Sequence, residues 1–158
     1  MSGTVVVTSR SFSSGGVDLV ARLEAAGLTV IRASTTHEPE AICPVLRDAV
    51  AWIAGTAPVT ARHLEAAPAL RVVARYGTGV DAVDLAAAAR AGVVVTNTPG
   101  ANSEAVAEHA IALLFAVLRG VSAGDRRVRR GDWSVLRGRQ LAGSVAGVVG
   151  FGRIGRGV

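Results

Sequence analysis

Short runs of β-branched residues alternate with stretches whose apolar side chains recur at helical spacing, and this alternation organises the first hundred residues. Val5-Val6-Val7 reads as a strand, followed by a helix over 17–26 with Leu19, Val20 and Leu23 on one face and Gly27 as its stop. A strand over 29–31 leads to a weaker helix over 38–48, where Pro39 suits the first turn and Pro44 should break or restart it. A third strand covers 50–53, and Thr60 caps a short helix that ends before Pro68. The fourth strand, 70–74, runs into Gly77-Thr78-Gly79; Asp84 caps a helix over 85–90, Gly92 stops it, and 93–95 is a fifth strand. Strands alternating with helices imply an α/β domain, a parallel sheet doubly wound with helices on both faces, complete within residues 1–98.

Thr98-Pro99-Gly100 marks the expected boundary. Beyond it a helix over 103–119, closed by Gly120, is apolar on nearly every side, the pattern of a helix buried between two bodies. An Arg-rich helical segment reaches about Arg130, a loop surrounds Trp133, and 144–149 reads as a sixth strand nine residues before the last one given. There is no internal repeat or low-complexity tract.

Composition adds little to this architecture but constrains the setting. Half the residues are hydrophobic and 18% are charged, which suits a chain that builds a core. All 17 basic residues are Arg; residues 1–118 carry 8 of them against 10 acids, and residues 119–158 carry 9 against 2. A basic tail is compatible with nucleic acid, an anionic membrane or an anionic ligand. Cys43 is the single cysteine, so no internal disulfide forms and a reducing compartment fits. Met1-Ser2-Gly3-Thr4 leads directly into the Val run without a signal-peptide pattern, and the longest apolar run, Ala110 to Leu118, is far short of the ~20 residues of a spanning helix. A cytoplasmic protein that binds no membrane is expected.

Two loops carry candidate chemistry. Gly150-Phe151-Gly152-Arg153-Ile154-Gly155 fits G-x-G-x-x-G directly after the expected strand. The first Gly would make the tight turn, the second admit a pyrophosphate and the third let helix and strand pack closely. The alternative is a glycine-rich turn that binds nothing. Arg75-Tyr76-Gly77-Thr78-Gly79-Val80-Asp81 leaves the carboxyl end of a parallel strand, where open α/β sheets bind ligands. Its two glycines around a Thr suit a backbone nest for a carboxylate, with Arg75 as a planar charged donor. The alternative here is a plain turn with Arg75 solvated.

The stretch RVVARYGTGVDAVDLAAAARAGVVVTNTPGANSEAVAEHAIALLFAVLRG resembles the signature region of D-isomer-specific 2-hydroxyacid dehydrogenases, especially their D-3-phosphoglycerate dehydrogenase branch, and LAGSVAGVVGFGRIGRGV resembles the start of that family's nucleotide-binding domain. The likeness implies a flavodoxin-like substrate domain in residues 1–98, then, over 99–158, the interdomain and dimer helix and the truncated start of a Rossmann domain for NAD, with NADP still open. It implies that Arg75, Gly77, Thr78, Gly79 and Asn102 face a small 2-hydroxy or 2-oxo acid, and that Thr78, Val106, Gly150, Gly152, Arg153, Ile154 and Gly155 face the dinucleotide. The family's catalytic His, Glu and Arg all follow the G-x-G-x-x-G, so the resemblance assigns no catalytic residue here and implies that these residues alone are inactive. Two departures stand out. Ala82 replaces an Asn common in GVDNVD, and Ala54-Gly55 stand where phosphoglycerate dehydrogenases often carry an Arg for the phosphate, which argues for an unphosphorylated substrate.

Other residues carry less. His37 and His63 fall in expected surface segments far from the loop, His109 beside Glu108 reads as a packing residue, and Cys43 as filler. Arg126, Arg127, Arg129, Arg130, Arg137 and Arg139 lack a nucleic-acid motif or a stacking aromatic set, so they read as a solvated face and no nucleic-acid or metal partner is expected. Two rivals remain: a non-catalytic truncated subunit that dimerises or binds a small acid, and a different Rossmann dehydrogenase with a similar front half.

Overall fold

The computed structural model describes residues 3–158; Met1 and Ser2, which entered the reading of the N-terminus, lie outside the described residues. The chain divides into two compact units, one ending at Ala101 and one running Asn102–Val158.

The first unit holds β1 (Gly3–Val7), α1 (Leu19–Ala25), β2 (Leu28–Arg32), α2 (Pro39–Leu46), β3 (Ala49–Ala54), α3 (Ala61–Glu65), β4 (Val72–Arg75), α4 (Leu85–Arg90) and β5 (Val94–Thr96). All four strand pairs are parallel, in the order β2-β1-β3-β4-β5; this is the parallel sheet expected from the alternation, with the flavodoxin-like order that the resemblance implies. Side-chain alternation splits the core into two faces. Val5, Val7, Ala51 and Ile53 pack with Leu19, Val20 and Leu23 of α1; Val6, Trp52, Ala54 and Val73 pack with Ile42 and Leu46 of α2 and Leu64 of α3. Central strands covered on both faces are therefore apolar at successive positions rather than alternating. Local signals set the ends: the Asp18 carboxylate accepts the N–H groups of Val20 and Ala21, Asp84 accepts from Ala87, and Gly27 (φ +79°) and Gly92 (φ +68°) sit beyond the helices they stop.

Three sequence expectations are corrected. The helix α2 runs through Pro44. Proline removes the bond to the Glu40 carbonyl, but both residues face water, so the freed carbonyl is solvated while Ile42 and Leu46 are fully buried on the opposite side. His37 and His63 are not surface residues: both are buried, because the segment after β2 turns inward at His37 (φ +58°) and α3 packs beside it. The expected strand over 144–149 does not form.

The second unit contains α5 (Ser103–Leu118) and α6 (Val121–Arg129), joined through Gly120 in the left-handed region (φ +63°). The segment after α6 is irregular, yet anchored: Arg139 N–H donates to the Leu118 carbonyl at 2.7 Å, satisfying a group at the end of α5. Along α5 only Ala107 is buried, and residues 132–151 form no helix or strand. No single helix among the described residues is long and apolar enough to cross a membrane.

Candidate functional site

Loops close the carboxyl ends of β1, β3 and β4. After β4, the Tyr76 N–H still pairs with the Ala54 carbonyl at 2.9 Å, and the Gly77 N–H turns back to the Arg75 carbonyl at 2.8 Å. Gly77 has φ +150°, a conformation that favours glycine, and the Arg75 guanidinium lies against it. Arg75 is half-buried and its Nη1 donates to the Tyr76 carbonyl, which folds the side chain over its own loop.

The next two carbonyls are held from β5. Thr98 N–H donates to the Gly77 carbonyl at 3.0 Å, and Asn97 Nδ2 donates to the Thr78 carbonyl at 2.6 Å. The N–H groups of Thr78 and Gly79 have no partner among the described residues. This loop thus keeps two consecutive backbone donors available at the sheet's carboxyl edge, chemistry suited to a carboxylate.

A cleft of about 270 Å³ lies beside this loop and shares Tyr76 with it; its other walls are Thr8, Ser9, Arg10, Ser11, Thr35, Gly55 and Thr56. Its floor rests on a buried polar network. The Thr8 hydroxyl accepts Trp52 Nε1–H at 2.9 Å and the Gly55 N–H at 3.3 Å, and lies 2.6 Å from His37 Nε2. His37 Nδ1 faces the Pro58 carbonyl at 3.0 Å, so Nδ1 carries the proton and Nε2 accepts from Thr8. His63 has the opposite tautomer: Nδ1 accepts the Thr60 N–H at 3.0 Å and Nε2–H donates to the His37 carbonyl at 2.9 Å. Burial pushes both imidazoles below their ordinary pKa; for His63 the nearby Arg62 charge acts in the same direction. Both rings are neutral and structural. Their protons are committed to the framework, and Thr8 has none to spare for a ligand.

In the second unit, Asn102 precedes α5, its carbonyl accepts the Val106 N–H at 3.0 Å, and both side chains are exposed. The glycine fingerprint forms a turn rather than the start of a helix, with Arg156 N–H reaching the Gly152 carbonyl at 3.1 Å. Its glycines nonetheless meet three different demands. Gly150 has φ +94°, a Cβ on Gly152 would meet open space, and a Cβ on Gly155 would overlap the Gly150 carbonyl. Those are the demands a phosphate-binding turn makes, so the residues fit a dinucleotide's pyrophosphate. Arg153 and Ile154 are exposed on the same turn, and His109 is exposed on α5.

The structure therefore brings Arg75, Gly77, Thr78 and Gly79 into one loop of the first unit and Gly150, Gly152, Arg153, Ile154 and Gly155 into one turn of the second. Sequence reasoning missed Asn97 and the Thr8–His37–Trp52 network. A polar residue directly after each strand, Thr8 after β1 and Asn97 after β5, was the available signal.

Residues 5–148 match the family model for the D-isomer specific 2-hydroxyacid dehydrogenase catalytic domain. A glyoxylate reductase of Korarchaeum cryptofilum is 45% identical over 109 residues, covering 65% of this chain and 33% of the relative. A D-3-phosphoglycerate dehydrogenase of Archaeoglobus fulgidus is 44% identical over 99 residues, covering 61% and 19%. Among solved structures, a Thermus thermophilus protein superposes with a TM-score of 0.87 at 35% identity over 98% of this chain and 50% of that one. An NAD-dependent formate dehydrogenase of Staphylococcus aureus, solved with NAD, superposes with a TM-score of 0.82 at 28% identity over 99% and 51%. The chain thus spans a third or less of these curated relatives and about half of these solved chains.

Proposed function

This chain belongs to the D-isomer specific 2-hydroxyacid dehydrogenases, and on that footing we propose that it forms the substrate-holding part of an oxidoreductase acting on a small 2-hydroxy or 2-oxo acid. The observation that carries the proposal is the pair of unpartnered N–H groups at Thr78 and Gly79, presented at the carboxyl edge of the sheet because Asn97 and Thr98 hold the neighbouring carbonyls. Two backbone donors orient the substrate carboxylate and so fix C2, the carbon whose hydrogen moves. Arg75 shapes the same loop, and Asn102 is assigned to the carboxylate by likeness to the family.

A nicotinamide cofactor, NAD or NADP, supplies the hydride acceptor when bound. Gly150, Gly152 and Gly155 would hold its pyrophosphate, with Arg153 and Ile154 on the same turn; Thr78 and Val106 are assigned to the cofactor by likeness to the family alone. The exchange of the hydroxyl proton is assigned to a His, with Glu and Arg partners, that family members carry after the fingerprint. Residues 1–158 provide none at a matching position, so within them binding and orientation are retained without turnover. The exposed apolar side chains of α5, Leu113, Phe115 and Val117, favour a second reading of these residues by themselves: a subunit that binds a small acid and associates through this helix, a homodimer in the first instance.

The test is an amide NMR titration of the 158-residue chain with pyruvate and glyoxylate. Saturable shifts of the Thr78 and Gly79 amides are expected, abolished by Gly79→Pro. Silence at both amides, with shifts elsewhere or none, rejects the assignment.

A further inference from the structure

The cleft beside the Gly77 loop lies where this topology places ligands. In the order β2-β1-β3-β4-β5 the winding reverses between β1 and β3, and the crevice outside their carboxyl ends is the switch point at which open α/β sheets bind. Its walls come from the segments after β1, β2, β3 and β4. They supply hydroxyls from Ser9, Ser11, Thr35 and Thr56, the ring of Tyr76 and one charged group, Arg10; no carboxylate lines it.

We infer that this cleft is an anion subsite in which Arg10 holds a second negative group at the far end of the substrate, a carboxylate or a phosphate; the substrate part rests on the dehydrogenase reading above. Arg10 Nε donates to Thr35 Oγ1 at 3.4 Å, which steadies the guanidinium, while its terminal nitrogens make no hydrogen bond or ion pair among the described residues. A planar guanidinium with its outer edge free matches the paired oxygens of a carboxylate or phosphate.

The loop bearing it is held in advance. Phe12 is buried and stands edge-on to Tyr76 with ring centroids 5.7 Å apart, and Arg32 Nη2 clasps the Phe12 carbonyl at 2.9 Å. Ser13 takes a left-handed backbone (φ +63°), fixed by its hydroxyl on Asp18 at 3.1 Å and the Leu19 N–H at 2.9 Å. An aromatic contact, a backbone clasp and a pinned turn thus hold the Arg10 loop at the cleft, so little ordering is left to accomplish on binding. On this inference a phosphorylated substrate, against which the lack of a cation at Ala54 argued, would meet its cation on the β1 side instead.

The experiment titrates the isotope-labelled 158-residue chain with pyruvate, with inorganic phosphate and malonate, and with 2-oxoglutarate and 3-phosphoglycerate. The signals followed are Arg10 Nε–H and the amides of Ser11, Thr56, Thr78 and Gly79. At least one of 2-oxoglutarate and 3-phosphoglycerate should bind about ten-fold or more tightly than pyruvate and move both groups of signals, a gain of the size expected for one charge-assisted, two-point contact. Which of them does so identifies the terminal group. Arg10→Gln should remove that advantage without altering pyruvate shifts, and Arg10→Lys should keep part of it; Arg10 is exposed, so both variants retain the fold. Equal affinity for pyruvate and the dianions, or a preference that survives Arg10→Gln, overturns the inference. Phosphate shifting Arg10 and Ser11 while no 2-oxo acid touches Thr78 and Gly79 supports the anion subsite and rejects the substrate-holding role proposed for those two amides. Pyruvate at Thr78 and Gly79 with Arg10 silent to every anion does the reverse.

Discussion

Val5, Val6 and Val7 lie at 2%, 0% and 1% exposure, while Val145 and Val149, in a run of much the same apolar character, stand at 99% and 103%. Both segments have the composition of a buried parallel strand. The first is paired on both sides, with β2 and β3, and covered on both faces; the second has no strand beside it among the described residues. β propensity measures how well a side chain fits a pleated, half-buried surface, and without neighbours there is no such surface. The first unit is therefore a finished sheet. Among the described residues, the second holds a pair of helices followed by a strand-like run without a partner strand.

The largest effect that would break this contrast concerns activity. On the reading proposed above, in which the general base of the family follows the glycine turn, residues 1–158 by themselves should show no NADH-dependent reduction of 2-oxo acids. Absence of a base alone typically costs about 10²–10⁴-fold, and unorganised cofactor capture costs more. Absorbance assays and calorimetric NADH titration check this; turnover, or micromolar affinity, would mean that the second unit is functionally built after all.

Stability should divide the units next. Trp52→Ala removes a fully buried indole and its bond to Thr8, and should cost about 3–5 kcal/mol in urea unfolding. Val149→Ala should stay within about 0.5 kcal/mol. Comparable losses from both would show that the second valine run packs in solution.

Acidification should weaken the first unit selectively. His37 and His63 have pKa values lowered by burial, so the unfolded chain binds more protons than the folded one below about pH 6.5, the ordinary histidine range. Stability contributed by the neutral rings is full above that pH and is lost as pH falls toward the folded-state values. Asp18 and Glu40, whose pKa values are also lowered, act only below the ordinary carboxylate range, so the two windows separate. Midpoints of thermal unfolding should drop between about pH 7.5 and pH 5, and less so in a His37→Gln, His63→Gln double variant; a flat profile contradicts the neutral network.

The smallest effect sharpens the picture inside the first unit. Asn97→Ala removes one side-chain bond to the Thr78 carbonyl, worth about 1 kcal/mol, and should speed amide exchange at Thr78 and Gly79 while the core strands keep their protection. Unchanged exchange would mean that Thr98 alone holds the loop.

Much of the first unit was legible because its signals are local. Gly27 and Gly92 stop helices by conformation, Asp84 caps one, and the strand–helix alternation leaves few topologies. What escaped depends on residues distant in the chain. His37 looks like a polar loop residue until Thr8 and Pro58 arrive from 29 and 21 positions away to satisfy its ring. Pro44 looks like a breaker until the water-facing side of α2 is known. In the candidate site, Gly77-Thr78-Gly79 announced itself through its glycines, whereas Arg10 had no sequence signature, since only folding places it with Thr56 and Tyr76 in one cleft.

The backbone at Ala54-Gly55 has a consequence for how this protein's specificity can drift. Ala54 is fully buried, and a Cβ on Gly55 would stand 2.7 Å from the Thr8 carbonyl. A larger or charged side chain at either position must displace packed neighbours, so a cation is accommodated less easily there than at an exposed position of the cleft. Arg10, Ser11 and Thr56 are exposed and free of such constraints. Substitutions that retune the cleft are therefore expected at the rim after β1 and at the residue past Gly55, and a library randomised at those three positions tests this.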